Sequence, residues 1–220
     1  MSIKVGLPYT RLVPHEKSES SGRRRSVRSK GDLREQAILD AAESQLATVG
    51  IDGMTVETIA TAAGISRAAF YFYFGSRDDA IAALVDRVVT MLETGVLPIG
   101  EESPAASIRR GVEDTARMWR EHGPVMRAAV ELSPSVPSIA ERWRAAEDVV
   151  VETTRAIAED AGFAGGSGPL SAGATTRALM WMTERRFYEA FRVQESIDDV
   201  AETLSSIWLA ALDLPSQPRS

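Results

Sequence analysis

The sequence contains no cysteine, and its lysines and histidines are almost confined to one end. Without cysteine the chain has no disulfide, no thiolate nucleophile and no cysteine-ligated zinc. All three lysines lie within the first 30 residues, and His122 is the one histidine beyond them. The remaining 190 or so residues therefore offer no histidine triad, no Schiff-base lysine and no His/Cys metal cluster. We predict that the protein is not an enzyme and requires no metal or cofactor. His122 stands at a helix end, where we expect it to interact with the last carbonyls.

Long apolar runs are also absent. Even AIAALVDRVV, the most apolar stretch, is interrupted by Asp86 and Arg87. A membrane span needs roughly 18 uninterrupted apolar residues, and the first residues lack the apolar segment of a signal peptide. With 44% apolar and 25% charged residues, the composition is that of an ordinary soluble protein, and we expect a cytoplasmic location and no membrane partner.

Positive charge is concentrated at the start of a chain whose net charge is −6. Residues 1–31 carry eight basic and two acidic side chains, a local net charge of +6, which leaves −12 for the remainder. This segment is rich in serine and poor in apolar residues, so it is predicted to be a disordered basic arm. The alternative is a solubilising tail without a function of its own.

From residue 32 onward the pattern is helical, with no convincing pair of strands. The first helix is predicted over about 32–49 and ends at Gly50. Thr55 begins a second helix as its N-cap, and Gly64 ends that helix. Ser66 begins a third helix and Ser76 a fourth, each as an N-cap. The fold class is therefore all-α.

The stretch Phe70–Phe74 reads FYFYF and alternates Phe with Tyr, which by itself is a strand pattern. It lies between two N-cap serines only ten residues apart, and a strand here would find no partner of similar pattern. We therefore predict a short helix. At about 100° per residue, Phe70, Tyr73 and Phe74 share one face, whereas Tyr71 and Phe72 point away from it.

Two short helices joined by the turn Ala63-Gly64-Ile65 predict a helix-turn-helix, whose second helix enters the DNA major groove. DNA phosphates can be bound by the hydroxyls of Ser66, Tyr71 and Tyr73 and by the positively charged Arg77. Arg67 is the long side chain able to read a base edge, most naturally that of guanine. The predicted DNA-binding residues are Arg23, Arg24, Arg25, Arg28, Lys30, Thr55, Ser66, Arg67, Ala68, Ala69, Tyr71, Tyr73 and Arg77.

The stretch TIATAAGISRAAFYFYFGSRDDAIAAL resembles the N-terminal domain of TetR-family transcriptional regulators. The resemblance covers roughly residues 32–212. It implies about nine helices, DNA binding by the first three, a ligand pocket in the rest, and a homodimer.

The domains are accordingly predicted as the arm 1–31, a helix-turn-helix domain 32–78, a ligand-binding and dimerisation domain 79–214, and a tail 215–220. Gly123-Pro124 is expected to break a helix that begins at Ser103-Pro104. The last two helices, about 171–192 and 196–212, carry apolar faces that suit a four-helix dimer interface. The residues predicted there are Leu179, Phe191, Val200, Leu204, Ile207 and Ala211. The alternative is that these faces form part of the chain's own core.

All four tryptophans, Trp119, Trp143, Trp181 and Trp208, lie in the second domain. Any one of them could simply fill core volume. As a set, with several methionines, they favour an adaptable apolar cavity containing few polar groups. The predicted ligand-binding residues are Trp119, Trp143, Met180, Thr183, Glu184, Phe187 and Trp208. The resemblance implies pocket positions for Trp143, Thr183, Glu184 and Trp208, although Glu184 could instead pair with Arg185 or with a neighbouring helix.

The sequence as a whole predicts a ligand-responsive transcriptional repressor. It would bind double-stranded operator DNA as a homodimer and be released when a small apolar ligand occupies the pocket. The alternative is a helical ligand-binding or scaffold protein without specific DNA recognition. Ala68 and Ala69 favour that alternative because they leave the reading helix poor in hydrogen-bonding groups, and residues 32–76 hold more acids than bases.

Overall fold

The computed structural model of the protein describes residues 30–96 and 103–215. Within these ranges all regular structure is helical, which confirms the all-α class. About nine helices were predicted, and the described ranges contain eight. The helices are α1 (Lys30–Gly53), α2 (Val56–Ala62), α3 (Arg67–Tyr73), α4 (Arg77–Val96), α5 (Pro104–Leu132), α6 (Pro137–Asp160), α7 (Ala172–Val193) and α8 (Ile197–Ala211).

Helix α1 begins at Lys30, two residues before the predicted start. One of its faces is buried through Ile38, Ala42 and Leu46. Helical geometry is interrupted at Gly50, whose φ of 71° lies in the left-handed region that favours glycine. The chain turns there toward α2, as the sequence predicts.

Helices α2 and α3 form the predicted helix-turn-helix, and local capping defines both of them. The Thr55 hydroxyl accepts from the Thr58 backbone N–H at 3.1 Å, and the Thr58 hydroxyl accepts from the Thr55 N–H at 2.9 Å, which makes a capping box. Gly64 closes the turn at φ 65°, and Ile65 N–H donates to the Ala60 carbonyl at 2.9 Å. These hydrogen bonds fix the angle at which α3 leaves α2.

The aromatic stretch lies mostly on α3, and its two faces divide as predicted. Phe70 and Phe74 are buried with ring centroids 5.7 Å apart, and Tyr73 is half-buried. Tyr71 is exposed, and Phe72 leaves 82% of its surface accessible. The aromatic stretch therefore contributes both to the core and to the outer surface.

Helix α4 joins the two parts of the molecule. It packs against α1 on one side and against α5 and α6 on the other. Ile81, Leu84, Val85 and Val88 are all at most 1% exposed. The predicted boundary between residues 78 and 79 falls in the first turn of this helix, so the two domains share a continuous apolar core.

Helix α5 consists of two helical segments that meet at a kink, which lies where a break at Gly123-Pro124 was predicted. Pro124 has no N–H to donate to the preceding turn, and the deviation in geometry appears at His122, with φ −126° and ψ 24°. The helix nevertheless runs on to Leu132. Helices α5 to α8 pack on one another as a bundle. Within the described ranges, none of the helices combines the length and apolar composition of a membrane span.

The outward face of α7 and α8 differs from the predicted dimer interface. Val200 and Leu204 are 2% and 1% exposed within a single chain, and Leu179 is also buried, so these three side chains belong to the core. Phe191 is also turned inward, with its ring 5.8 Å from that of Trp119. Of the predicted interface residues, Ile207 and Ala211 are exposed.

Candidate DNA-binding surface and ligand cavity

The N-terminus of α3 carries the predicted DNA-facing groups. The Ser66 hydroxyl accepts from the Ala69 backbone N–H at 3.1 Å, so Ser66 caps the helix while remaining exposed. Thr55 caps α2 in the same way and is also exposed. The Ser66 hydroxyl keeps a proton that can be donated to an acceptor outside the chain, whereas the Thr55 hydroxyl also donates to the Thr58 hydroxyl at 3.5 Å. Lys30 is exposed at the start of α1, and Arg23, Arg24, Arg25 and Arg28 lie outside the described residues.

Arg67 is fully accessible at the start of α3. Its closest carboxylate is that of Glu57, with Nε 3.7 Å from Oε2, and both side chains are largely exposed. A hydrogen bond with Tyr71 is the main cause of a raised pKa for the Arg67 guanidinium. Because an exposed pair at this distance contributes little, Arg67 is free to reach an outside partner. Ala68 is exposed beside it, and Ala69 is half-buried.

Arg77 makes several hydrogen bonds within the protein, and its contact with a DNA phosphate stays a prediction. Its Nη1 donates to the carbonyl of Ile51 in the last turn of α1 at 3.2 Å and to that of Met54, just after α1, at 3.4 Å. Its Nε donates to Asp78 at 2.9 Å. Arg77 therefore ties the start of α4 to the end of α1, and its charge is already partly compensated.

A second cation near α3 was not in the predicted site. Arg34 of α1 lines a concavity with Gly64, Ser66, Phe72 and other residues of the turn and α3. Arg34 and Phe72 are both exposed. Spacing within α1 gives no sign of this placement, because it depends on how α1 packs beside α3.

The second site is a cavity enclosed by helices α4 to α8, with a volume of about 130 Å³. Six of the seven predicted ligand-binding residues lie on its wall, namely Trp119, Trp143, Met180, Thr183, Glu184 and Trp208. Phe187 does not, because it is completely buried in the core. The other lining residues are Val89, Leu92, Ser107, Ile108, Gly111, Val112, Thr115, Met126, Ala146, Glu147, Val150, Thr153, Thr154 and Ile157.

Trp181, the remaining tryptophan, lies on the outer surface of α7 with 56% of its area exposed. It was predicted to join the other three at the cavity. Its neighbour Arg185, one turn along α7, pairs with Glu189 and stacks on Tyr188, so it does not reach Glu184. Trp181 is thus part of the exposed face of α7 and α8.

Hydrogen bonds orient two of the tryptophans that line the cavity. Trp208 Nε1 donates to the Thr183 hydroxyl at 2.8 Å, and both residues are buried. Trp143 Nε1 donates to Glu184 Oε2 at 3.0 Å, joining α6 to α7 across the cavity wall. Because each indole N–H has a partner, the rings are held in fixed positions at low cost.

Glu147 and Glu184 place two carboxyl groups together on the wall. Burial raises the pKa of Glu147 to about 8, and the hydrogen bond and negative charge of Glu184 act in the same direction. Asp148 adds to the rise, and the Arg144 guanidinium opposes it. At neutral pH a carboxyl with this pKa is mostly protonated, so Glu147 can donate its proton to an oxygen of Glu184. Glu147 was not predicted as a site residue because its position on α6 resembles that of any surface acid.

A polar network connects α5, near the cavity, to α1. Arg87 of α4 donates to Asp40 at 2.6 Å and to Glu43 at 2.7 Å, both on α1. His122 Nδ1 lies 2.6 Å from the other oxygen of Glu43. His122, predicted to interact with helix-end carbonyls, instead bridges the bend of α5 to the helix beside the helix-turn-helix.

Comparisons with known proteins agree with this arrangement. Residues 38–84 match the family described as "Bacterial regulatory proteins, tetR family", and residues 108–213 match "Transcriptional regulator EthR, C-terminal domain". The chain belongs to the TetR family of transcriptional regulators. It is thus a regulator and not an enzyme, as the sequence predicts.

Particular relatives place it nearer one branch of that family. The chain is 32% identical over 198 residues to the HTH-type transcriptional regulator EthR of Mycolicibacterium smegmatis, covering 86% of this chain and 90% of the relative. It is also 32% identical over 205 residues to EthR of Mycobacterium tuberculosis, covering 86% and 91%. The chain is therefore an EthR-like member of the family.

Solved structures show the same fold at lower identity. A TetR-like regulator from Rhodococcus sp. RHA1 aligns with a TM-score of 0.67 and 22% identity, over 84% of this chain and 99% of that one. A tetR-family regulator from Streptomyces coelicolor aligns with a TM-score of 0.70 and 17% identity, over 82% and 80%.

Proposed function

We propose that the protein is a ligand-responsive repressor that binds operator DNA as a homodimer and leaves it when the cavity is occupied. One observation carries this proposal. The helix-turn-helix and the tryptophan-lined cavity belong to one continuous apolar core, and α4 packs against both parts. The α3 N-terminus would lie in the major groove, with Arg67 toward the bases and Ser66 and Tyr71 toward phosphates.

The size of the cavity supports a mechanism of release. About 130 Å³ is close to the roughly 150 Å³ of an engineered apolar cavity that admits benzene, and we expect a longer ligand to push the lining helices apart. Val89 and Leu92 place α4 on the wall, and α4 also packs against α1. Displacement of α4 would change the position of α3 relative to its copy in the dimer.

A second path by which ligand binding could move α1 is the polar network of Arg87, Glu43 and His122. His122 lies one turn from Trp119, which lines the cavity, so a shift of α5 would pull directly on Glu43 of α1. Release requires the ligand to favour the form of the dimer whose two α3 helices are displaced from their DNA-binding positions. A 5- to 150-fold tighter binding to that form supplies roughly 1 to 3 kcal/mol of coupling, which is enough for release.

The exposed face of α7 and α8 is proposed as the dimer surface. Trp181, Ile207 and Ala211 are exposed there and apolar. An aromatic side chain of this size is typical of the centre of a protein interface. Trp181→Glu should give a monomer in sedimentation at the concentration where the wild type sediments as a dimer. Val193→Glu, at an equally exposed site at the end of α7, is the control expected to leave the dimer intact.

DNA binding is tested with the region that flanks the protein's own coding sequence. Fluorescence anisotropy should show saturable binding that scrambled DNA of the same composition does not compete away. Binding no stronger than to scrambled DNA would favour the alternative, a helical ligand-binding or scaffold protein.

The basic arm is proposed to add phosphate contacts, because the described part of the helix-turn-helix region is rich in acids. Each phosphate neutralised changes the slope of log affinity against log salt by about 0.9, so five cations fully engaged would contribute roughly 4 to 5 per subunit. Deleting residues 1–30 should leave operator preference unchanged and make this slope shallower. Equal slopes would identify the arm as a solvated tail.

A further inference from the structure

The cavity wall carries acidic groups without basic ones. Of its lining residues, Glu147 on α6 and Glu184 on α7 are the titratable ones, and the rest are apolar, hydroxyl-bearing or glycine. Among the described residues, no arginine forms an ion pair with either carboxyl. The nearest cation acting on Glu147 is Arg144, an exposed residue of its own helix, whose effect is smaller than that of Glu184.

These carboxyls are fixed in place by the surrounding structure. The Trp143 indole N–H donates to Glu184 Oε2 at 3.0 Å, which holds the carboxyl at the wall and places the indole beside it. Glu147 lies one turn after Trp143 on α6, so it is on the same side of that helix. Trp119 and Trp208 line the same cavity and present further aromatic surface.

We propose that the effector is an apolar molecule bearing one protonated amine, with the ammonium bound between Glu147 and Glu184. This inference rests on the proposed function of the cavity as the ligand site. An ammonium there would donate charge-assisted hydrogen bonds to both carboxyls and lie against the indole of Trp143, an arrangement favourable for a cation. The apolar part would occupy the space between Trp119, Met126 and Trp208.

The proton held by Glu147 in the free protein occupies the place that a bound cation would take. When an ammonium binds, it takes over the role of that proton, and the carboxylic acid loses it to solvent. A carboxylate ligand would instead bring a third acidic group to the pair, and an alcohol would leave the pair with its proton and gain no charge-assisted hydrogen bond. Among ligands that share one carbon skeleton, the affinity for the cavity should therefore depend on the end group.

The test uses 4-phenylbutylamine, 4-phenylbutan-1-ol and 4-phenylbutanoate, titrated into the full-length protein by calorimetry at about pH 7. The amine should bind at least about tenfold more tightly than the alcohol, which corresponds to about 1.4 kcal/mol, and the carboxylate should bind most weakly. Repeating the amine titration in phosphate and Tris, whose ionisation heats differ, should reveal release of up to one proton per amine bound.

Two variants distinguish the effect of the Glu147 and Glu184 pair from the effect of negative charge elsewhere on α6. Glu147→Gln should remove most of the preference for amine over alcohol and abolish the proton release. Glu152→Gln removes an exposed carboxylate of the same helix, which pairs with Arg155 and is not among the groups that shift the pKa of Glu147, and it should leave the preference unchanged.

The test distinguishes a wrong ligand class from a wrong assignment of the cavity as the ligand site. If the alcohol or the carboxylate binds as tightly as the amine, the ligand class is wrong while the cavity remains a ligand site. If none of the three binds, or if filling the cavity by Gly111→Trp leaves binding unaltered, the cavity is not the ligand site and both proposals fail.

Discussion

Gly123 provides a stringent test of the packing beside the cavity. A Cβ built on this residue would lie 2.0 Å from Cε2 of Phe191, with Cδ2 and Cζ at 2.5 and 2.6 Å. Carbon atoms pack at about 3.5 to 4.0 Å, so Gly123→Ala must displace the Phe191 ring by roughly 1.5 Å. The ring cannot move without disturbing Trp119, whose centroid is 5.8 Å away.

Overpacking of this kind costs about 1 to 3 kcal/mol. For a chain of this length each kcal/mol lowers the melting temperature by about 2 to 4 °C, which differential scanning fluorimetry resolves readily. Gly111→Ala on the same helix is the matched control, because a Cβ there meets nothing within 4 Å. That variant should be neutral or up to about 1 kcal/mol more stable, since alanine favours helices over glycine.

A double variant isolates the contact. Phe191→Ala removes the ring, so adding Gly123→Ala to it should cost much less than adding Gly123→Ala to the wild type. Equal costs in the two backgrounds, or a Gly123→Ala protein as stable as Gly111→Ala, would refute the close approach of α5 and α7.

Three further outcomes are expected. The stability of Glu147→Gln relative to the wild type should rise in thermal melts as pH increases from about 5 to 9. The reason is that a raised pKa means that the wild type must ionise a buried acid as pH increases. Melting temperatures of the two proteins that change in parallel with pH would contradict this. Glu43→Gln should cost about 1 to 3 kcal/mol in urea unfolding by weakening its bonds to α4 and α5, whereas Glu152→Gln in an exposed pair should change stability by at most about 0.5 kcal/mol. Thr183→Val should cost about 1 to 3 kcal/mol by leaving the Trp208 indole N–H unpaired, and Thr183→Ser should restore most of it; equal stability of the two variants would rule out that hydrogen bond.

The helix-turn-helix could be predicted closely because its signals are local. Thr55, Gly64 and Ser66 define the ends of α2 and α3 through hydrogen bonds within a few residues, and such bonds depend little on the rest of the fold. The hydrogen bonds of Arg77 within the protein could not be predicted, because its partners, the carbonyls of Ile51 and Met54, are more than 20 residues away.

The exposed face of α7 and α8 and the cavity could be predicted only in part, because they depend on how whole helices are rotated. At about 100° per residue, Ile207 lies about 60° around α8 from Leu204, which is enough to move it from core to surface. Periodicity finds an apolar stripe, but it does not say which edge of the stripe meets the chain's own core. The side of α6 that carries Glu147 is likewise decided by packing against α4, α5 and α7.

The composition of the cavity wall has a consequence for how the protein can diverge. Its lining residues come from α4 to α8, and none of those found in the described ranges belongs to α1, α2 or α3. On the proposed function, substitutions that change the chemical preference of the wall can accumulate while the DNA-reading surface is conserved, so we expect that paralogues with one operator can acquire different inducers. Val89 and Leu92 stand apart, because their helix also packs against α1. Changes at these two positions would alter the choice of inducer and the strength of the response together, which makes them the slowest part of the wall to evolve.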